Sequence, residues 1–391
     1  MALILLLFLG MSISYYEVDA RSKNLPDMQQ SFTRSLNLKS ILPTMNSDFE
    51  CIGIYKQPAF KHRLLKNHKI QLNPTFSRYT MQTRLPFMEK TFQIHNSNKG
   101  CPSGKVPIRM IKLRQEINYN FSESQPENFR QYSRIPYQHF ATLETTPSTT
   151  YHGASAWISV SDNLLVQGTQ YSLSQIWLQS GPLSELNSIQ VGVGVNPRVY
   201  GDDKPHLASF WTGDNFKKTG CFDAICPGFV QVHPRITLGQ TIEPSFTGGL
   251  DGKDYIAIKV TQDSVSGHWW LHVEGSDGSE DVGYWPKEIF THLRKGSSLI
   301  KFGGEAYGPP NIGSPPMGTG KLPKTSFPNS GFFARLQIVD SKFRELDVNP
   351  IDMKSYCDTS SDCYDLLYHG DQGAQFRQAF LFGGPGGQCG V

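Results

Sequence analysis

The sequence of 391 residues carries little charge, because Lys, Arg, Asp and Glu together make up only 18% of it, against about a quarter in an average soluble protein. After its first residues it also lacks any apolar run near the roughly 20 residues that a membrane-spanning helix needs. Its cysteines form no C-x-x-C pair and have no clustered histidines nearby, which argues against a zinc site built on cysteine. The chain is instead rich in aromatic residues (12%), with 36 glycines and 25 prolines, a composition that can fill a core and supply many turns.

The first residues predict export of the chain. Residues 3–9 read L-I-L-L-L-F-L and are followed by polar and small residues up to Ala20. A short apolar run before a small-residue cleavage site is typical of a secretory signal peptide, expected here over residues 1–20. The chain is therefore expected to be secreted, and to have no contact with a membrane once the signal is removed.

Seven cysteines in an exported chain predict disulfide bonds. Their positions favour three pairs, namely Cys51–Cys101, Cys221–Cys226 and Cys363–Cys389. Cys357 is then left without a partner. A glycosylation sequon, Asn120-Phe121-Ser122, lies in a polar stretch that is typical of a surface segment.

The net charge of +3 hides two oppositely charged parts of the chain. Residues 21–130 contain 18 Lys and Arg against 7 Asp and Glu, a net charge of +11, whereas residues 131–391 contain 19 against 25, a net charge of −6. A basic segment can bind nucleic acid, but an exported, disulfide-bonded one is better explained as the partner of its own acidic domain. We expect a basic unit over 21–130, a polar linker over 131–150 and a second domain over 151–391.

The second domain has the pattern of an antiparallel β protein. Short alternating segments recur at intervals of roughly 8–14 residues between Gly, Pro, Asn and Asp, as in a sandwich or a barrel. The pattern predicts ten strands, over 154–160, 171–178, 188–196, 206–211, 228–233, 255–261, 268–274, 299–307, 332–339 and 377–382. Only residues 287–295 have a helical pattern, which Gly296 would end. The fold class is therefore all-β.

Two of these strands carry polar residues at unusual positions. In S-I-Q-V-G-V-G-V-N (188–196), period-two alternation places the apolar residues on one face and Gln190 with two glycines on the other. A face of this kind leaves room for a neighbouring backbone to come close. In L-I-K-F-G-G-E-A-Y (299–307), Glu305 shares a face with Lys301. The pattern alone favours a solvent-facing carboxylate on a twisted edge.

These two strands belong to an ordered set of motifs that resembles the plant neprosin family of secreted glutamic peptidases. The resemblance covers nearly the whole chain, and its motifs are I-Y-K-Q-P-A-F (54–60), C-P-S-G-K-V-P-I-R (101–109), Y-S-L-S-Q-I-W (171–177), N-S-I-Q-V-G (187–192), T-G-C-x-x-x-x-C-P-G-F-V-Q (219–231), G-G-E (303–305) and F-G-G-P-G-G-Q-C (382–389).

The resemblance implies a precursor in which an activation peptide, assigned to 21–130, precedes a catalytic domain over 151–391. That domain is implied to be a sandwich of two antiparallel sheets, related to the fungal glutamic peptidases. The implied activity is endopeptidase cleavage at acidic pH, often after proline, without a metal ion or other cofactor. The family places two glutamates on facing strands of the groove. One of them falls on Glu305, whereas the other falls on Gln190, a departure from the family pattern.

A Gln–Glu pair can still hydrolyse a peptide bond, and the fungal enzymes use such a pair. Glu305 is expected to act as general base and then as general acid. Gln190 is expected to orient the water and to donate to the oxyanion, since an amide donates without titrating. The alternative is a catalytically inactive sandwich that binds peptides, cell-wall protein or glycan, because the two tryptophans that flank the family site are Val193 and Phe302 here.

The expected partners follow from the same resemblance. They are a peptide or protein substrate, proline-rich ones included, and the activation peptide as an intramolecular inhibitor. Nucleic acid is not expected as a partner, and the protein is expected to be a monomer. The compartment implied is the apoplast, with the vacuole as a second choice.

Other candidate groups have plainer explanations. His268 and His272 lie on one face of a predicted strand, where a rise of ~3.3 Å per residue separates them by ~13 Å, too far to share a metal ion. Four tryptophans are predicted to be core residues, namely Trp157, Trp177, Trp211 and Trp269.

Overall fold

The protein is described from a computed structural model. The described residues are 49–75, 100–110, 137–147, 149–161, 164–242, 255–275, 278–309, 311–323 and 329–390. The predicted signal peptide, the sequon at Asn120 and the first residues of the predicted linker, 131–136, lie outside them. No helix within the described residues combines the length and the apolar character needed to cross a membrane.

Within the described residues, the regular structure consists of eighteen strands and two short α-helices, together with several 3-10 turns. The strands are β1 (Phe49–Gly53), β2 (Lys105–Arg109), β3 (Gln138–Thr145), β4 (Gly153–Ser159), β5 (Tyr171–Ser180), β6 (Asn187–Val195), β7 (His206–Thr212), β8 (Cys221–Phe222), β9 (Val230–Gln231), β10 (Tyr255–Gln262), β11 (Trp269–Gly275), β12 (Gly278–Trp285), β13 (Leu299–Tyr307), β14 (Gly331–Val339), β15 (Glu345–Asp347), β16 (Met353–Cys357), β17 (Asp365–Asp371) and β18 (Gln378–Gly383). The helices are α1 (Pro197–Tyr200) and α2 (Gly373–Phe376).

The strands form two large antiparallel sheets and one separate pair of antiparallel strands. The first sheet has the order β17-β18-β14-β4-β10-β11-β12-β9, with β15 beside β14, and the second has the order β16-β3-β13-β5-β6-β7-β8. Strands β1 and β2 pair with each other. The all-β, two-sheet architecture expected for the catalytic domain is confirmed.

The core lies between the two large sheets. Alternate residues of β6 and β13 in the second sheet, such as Val191 and Phe302, belong to the same buried cluster as Ile258 and Leu271 of the first sheet. Each face that is buried in this way excludes apolar area from water, which stabilises the sandwich by about 25 cal/mol per Å². The predicted apolar face of 188–196 therefore packs inward, and the opposite face of the second sheet is left to line a groove.

Most of the predicted strands are present within a few residues of their expected bounds, but three details were wrong. The linker predicted for 131–150 contains β3, which pairs with β13 on one side and with β16 on the other. Seven further strands were not predicted, namely β1, β2, β8, β12, β15, β16 and β17, and of these β12 pairs with β11. The helical pattern over 287–295 forms two 3-10 turns, Lys287–Ile289 and Leu293–Lys295, rather than a helix.

The three predicted disulfides are present, and they link Cys51 to Cys101, Cys221 to Cys226, and Cys363 to Cys389. Cys357 is a free thiol, and burial raises its pKa to about 12. A thiol with so high a pKa is a poor nucleophile, so Cys357 is not a candidate for catalysis.

The N-terminal segment, defined here as the described residues 49–75 and 100–110, is docked against the sandwich. Its apolar side chains Leu65 and Ile108 belong to the main buried cluster. The Gln57 side chain donates to the backbone oxygen of Gln231 at 3.1 Å and accepts from the Gln231 backbone nitrogen at 2.7 Å. An amide side chain thus supplies both hydrogen bonds that a neighbouring strand would give to β9 at the edge of the first sheet.

Candidate active site

Three neighbouring strands of the second sheet carry the polar groups of the groove. Period-two alternation turns Gln190 of β6, Gln175 of β5 and Glu305 of β13 to the same face, away from the core. Gln175 lies level with Gly192 on one neighbouring strand and with Gly303 on the other. Glycines on both sides leave the space that the glutamine side chain occupies between the two predicted site residues.

Gln175 connects Gln190 to Glu305. Its amide nitrogen Nε2 donates to Glu305 Oε2 at 2.9 Å and to Gln190 Oε1 at 3.3 Å. The two predicted residues therefore lie on one face of a single sheet, with β5 between their strands. Their oxygens converge on one amide group, so both can reach the same bound water or substrate carbonyl.

The carboxylate of Glu305 is buried and well supplied with donors. Its Oε1 accepts from Gln138 Nε2 at 2.5 Å and from the Tyr171 hydroxyl at 2.8 Å, in addition to the bond from Gln175. Burial raises the pKa of Glu305, while these hydrogen bonds and the positive charge of Lys301 oppose the rise. A carboxyl group that keeps its proton to a higher pH than usual is suited to acid–base work.

A second buried charge pair lies on the same face. Lys301 Nζ is 3.4 Å from Glu144 Oε1, and both side chains are almost fully buried. Burial lowers the pKa of Lys301, whereas Glu144 raises it. Lys301, on the same strand as Glu305, brings this pair to the floor of the groove, and Glu144 contributes from the neighbouring strand β3.

The groove above these groups is a mainly apolar cavity of about 120 Å³. Its polar floor is formed by Gln138, Gln190, Lys301 and Glu305, and its walls are aromatic and aliphatic side chains: Phe140, Tyr171, Leu173, Trp177, Leu183, Leu186, Phe210, Phe216 and Phe222. A concave, apolar site with a few convergent polar groups is typical of a ligand-binding pocket. None of the described residues of the N-terminal segment lines it.

Several residues of this site were missed in the sequence. Trp177 was assigned to the core, but it lines the groove, because its strand position shares a face with Gln175 and Tyr171. The alternation in Y-S-L-S-Q-I-W carries the signal that could have placed all three on that face. Gln138 fell in the predicted linker, and only the pairing of β3 with β13 brings it to Glu305.

Substituting Gly192 with alanine is expected to disturb the position of Gln175. A Cβ atom at Gly192 would lie 1.9 Å from the Ser174 backbone oxygen and 2.5 Å from Gln175 Cα, so the backbone of β5 would have to move. We expect a loss of about 1–3 kcal/mol in the free energy of unfolding, measured by urea denaturation. Gly194→Ala is the matched control, because the new Cβ would meet the end of the Leu173 side chain, which can rotate away. Equal stabilities for the two variants would contradict this account.

A comparison with protein families identifies the class of protein that carries this groove. Residues 168–385, more than half of the chain, match the family model described as Neprosin. The chain belongs to the neprosin family. Residues 44–153 match the model of the neprosin activation peptide, which supports an intramolecular propeptide in this chain. Family membership supports a peptidase-type function for the groove.

Solved structures give a weaker similarity. Scytalido-glutamic peptidase with a peptide-based transition state analogue is 12% identical to this chain, with a TM-score of 0.36, over 64% of this chain and 98% of that one. SCP-B, a member of the Eqolisin family in a complex with the tripeptide Ala-Ile-His, is 11% identical, with a TM-score of 0.34, over 63% and 97% of the two chains. Similarity at this level says nothing about individual site residues.

Proposed function

We propose that this protein is the secreted precursor of a glutamic endopeptidase that hydrolyses peptide bonds at acidic pH and prefers bonds after proline. One observation carries the proposal: Glu305 and Gln190 both meet Gln175 on the floor of an apolar groove. The preference for proline and for acid, and secretion to the apoplast or vacuole, are supported by the family resemblance and by the signal-like N-terminus. The chemistry draws on carboxyl and amide groups and calls for no cofactor in the groove.

Glu305 is the proposed general base and general acid. In its ionised form it takes a proton from a water molecule, which attacks the carbonyl carbon of the peptide bond. The protonated Glu305 then gives its proton to the leaving amine, and the carboxylate is restored. The donors from Tyr171 and Gln138 hold the carboxylate in one orientation throughout.

Gln190 is the proposed donor to the oxyanion. Its amide oxygen accepts from Gln175, and its Nε2 donates to Ser188 Oγ at 3.4 Å. An amide nitrogen carries two hydrogens, so one can be directed to a substrate carbonyl oxygen. A donor that is fixed before the reaction stabilises the developing negative charge without reorganisation.

The proposal is tested by expressing the full precursor in a secreting host, acidifying it and following cleavage of a proline-containing peptide by mass spectrometry. We expect loss of the activation peptide and hydrolysis of the test peptide. The absence of cleavage at every pH between about 2 and 7 would overturn the proposal.

The presence of Gln190 where the family has glutamate favours a second candidate, a groove that binds peptides, cell-wall protein or glycan without cutting them. The same assay separates the two, provided that binding is measured alongside cleavage. A peptide that binds and is recovered intact supports the second candidate.

Gln190→Glu is expected to change the pH dependence of kcat/KM. In the wild type only Glu305 of the pair titrates, and burial raises its pKa, so across the acidic range kcat/KM rises with pH as the base form appears and shows no falling limb from this pair. In the variant two nearby carboxyls share one proton, so kcat/KM falls again as that proton is lost, which gives a bell-shaped profile. Gln190→Leu serves as the control without a donor and is expected to lose about 10²–10³-fold in kcat. Superimposable profiles for the wild type and Gln190→Glu would remove residue 190 from the mechanism.

A further inference from the structure

Away from the groove, three potential metal ligands meet where the N-terminal segment touches the sandwich. His68 of that segment, His268 just before β11, and Glu288 place one ligand atom each within 4.8 Å of one another. We propose that this group, called here the His–His–Glu cluster, binds a divalent transition metal ion such as Zn²⁺ and so joins the activation peptide to the peptidase domain. The proposal needs the activation peptide but not a catalytic groove, so it can be tested independently of the proposed function.

The side chain of Glu288 has a buried oxygen that could bind a cation. Its Oε2 lies 3.8 Å from His268 Nδ1, is shielded from solvent and has no hydrogen-bond partner among the described residues. A buried carboxylate oxygen without a partner is costly. A metal ion bound at this position would satisfy it directly.

The two histidines are held by neighbours of the kind that orient metal ligands. His68 Nε2 is 2.8 Å from the Tyr284 hydroxyl, and when His68 donates from that atom, its Nδ1 keeps the lone pair that a metal needs. His268 is 8% exposed, and its ring is stacked on Tyr284 with the centroids 4.9 Å apart. Its Nδ1 accepts from the Lys287 backbone nitrogen at 3.2 Å, a hydrogen bond that metal binding at this atom would replace. The rings of the two histidines lie 5.2 Å from each other. These contacts fix both rings beside Glu288.

Two imidazoles and a carboxylate form a donor set that suits Zn²⁺, which binds such atoms at about 2.0–2.2 Å and takes water as a fourth ligand. The ligand atoms lie within 4.8 Å of one another. To reach the shorter ligand-to-ligand distances of a tetrahedral site, the side chains would have to shift by about 1 Å. His68 and Glu288 are only partly buried, so their side chains can make these shifts without moving the core.

The cluster consists of ligands from two parts of the chain that the proposed processing separates. Removing the activation peptide removes His68 and leaves two ligands. The metal is therefore expected to bind the precursor much more tightly than the processed domain, and to stabilise docking of the peptide by mass action.

The test uses the full precursor at neutral pH, stripped with a chelator and titrated with Zn²⁺. Metal content after gel filtration and the unfolding midpoint are the two measurements. We expect one Zn²⁺ per chain and a higher unfolding midpoint. In His68→Ala and in the isosteric Glu288→Gln, we expect at least a 10-fold loss of Zn²⁺ affinity.

Matched controls come from the same surroundings. His62→Ala removes another histidine of the N-terminal segment, and His272→Gln alters the histidine of β11 that pairs with Asp281 at 2.7 Å. Both are expected to bind Zn²⁺ as the wild type does. Glu288→Gln changes no side-chain volume, so it reports on the metal even if His68→Ala docks poorly. Stoichiometric binding that survives in both cluster variants, or no binding by the wild type, would overturn the proposal.

Discussion

Glu305→Gln is expected to lower kcat/KM for peptide hydrolysis by about 10³-fold or more, because it removes the group that both takes and returns the proton. Glutamine has the shape of glutamate, and the hydroxyl of Tyr171 can donate to its oxygen as it does to the carboxylate at 2.8 Å. The fold is therefore expected to survive, which circular dichroism and the unfolding midpoint check. Rates are measured on a proline-containing peptide at several acidic pH values.

The control for this variant is Glu274→Gln. Burial raises the pKa of Glu274, as it does for Glu305, but Glu274 lies on β11 of the first sheet, far from the groove. We expect it to keep full activity. Treating each precursor first with a trace of wild-type enzyme removes differences in processing. Activity within about 10-fold of the wild type in Glu305→Gln would exclude Glu305 as the acid–base group.

Arg109→Met is expected to lower the free energy of unfolding of the precursor by about 2–6 kcal/mol, because it leaves two buried carbonyl oxygens without donors at a cost of about 1–3 kcal/mol each. The Arg109 guanidinium donates from Nη1 to the Val199 backbone oxygen at 2.9 Å and from Nη2 to the Tyr200 backbone oxygen at 2.6 Å. It also lies over the Tyr200 ring, 4.9 Å from the centroid. Methionine fills the space but leaves both oxygens without these donors.

The loss of unfolding free energy in Arg109→Met is expected to depend on pH, because Asp223 titrates nearby. Burial raises the pKa of Asp223 to about 6, and the positive charge of Arg109 works against that rise. Without Arg109 the folded-state pKa is higher still, so ionising Asp223 costs more. A group whose folded-state pKa is raised destabilises the fold as pH climbs above its unfolded value. The difference between variant and wild type should therefore be larger near pH 7 than near pH 5.

Urea denaturation of the precursor at the two pH values measures both effects. Arg63→Met is the control, because Arg63 is an exposed arginine of the same N-terminal segment. Surface charges of this kind contribute little to stability. If the two arginine variants were equally stable, Arg109 would not anchor the activation peptide.

The strands that carry Gln190 and Glu305 could be predicted because one face of each is uniformly apolar and packs on the core. Strand β3 could not, since Q-H-F-A-T-L-E-T has polar residues such as Gln138 and Glu144 on the face that lines the groove. The sequence pattern thus resembles that of a linker. Hydrophobic alternation detects strands that have one buried apolar face and one solvent-exposed polar face. It fails where the second face lines a functional site and carries both polar and apolar residues.

Contacts between residues that are far apart in the sequence could not be predicted from the pattern of residues. Gln175 and Glu305 are 130 positions apart, and His68 and Tyr284 are 216 positions apart. Only sheet order and docking of the N-terminal segment bring these groups together. The disulfides could be predicted because few pairings suited their grouping along the chain. The family resemblance supplied the two site residues, but not the glutamine that joins them.

Strand β3 also limits where maturation can cut the precursor. It lies between β13 and β16, and its first residue, Gln138, donates to Glu305. A mature enzyme that began after Gln138 would lack that donor, although the activation-peptide match runs to residue 153. A cut before Arg109 would leave the anchoring arginine attached to the enzyme. The new N-terminus is thus expected within 110–137, a stretch that includes the predicted sequon at Asn120, so the exact bond decides whether that sequon leaves with the peptide or stays with the processed domain.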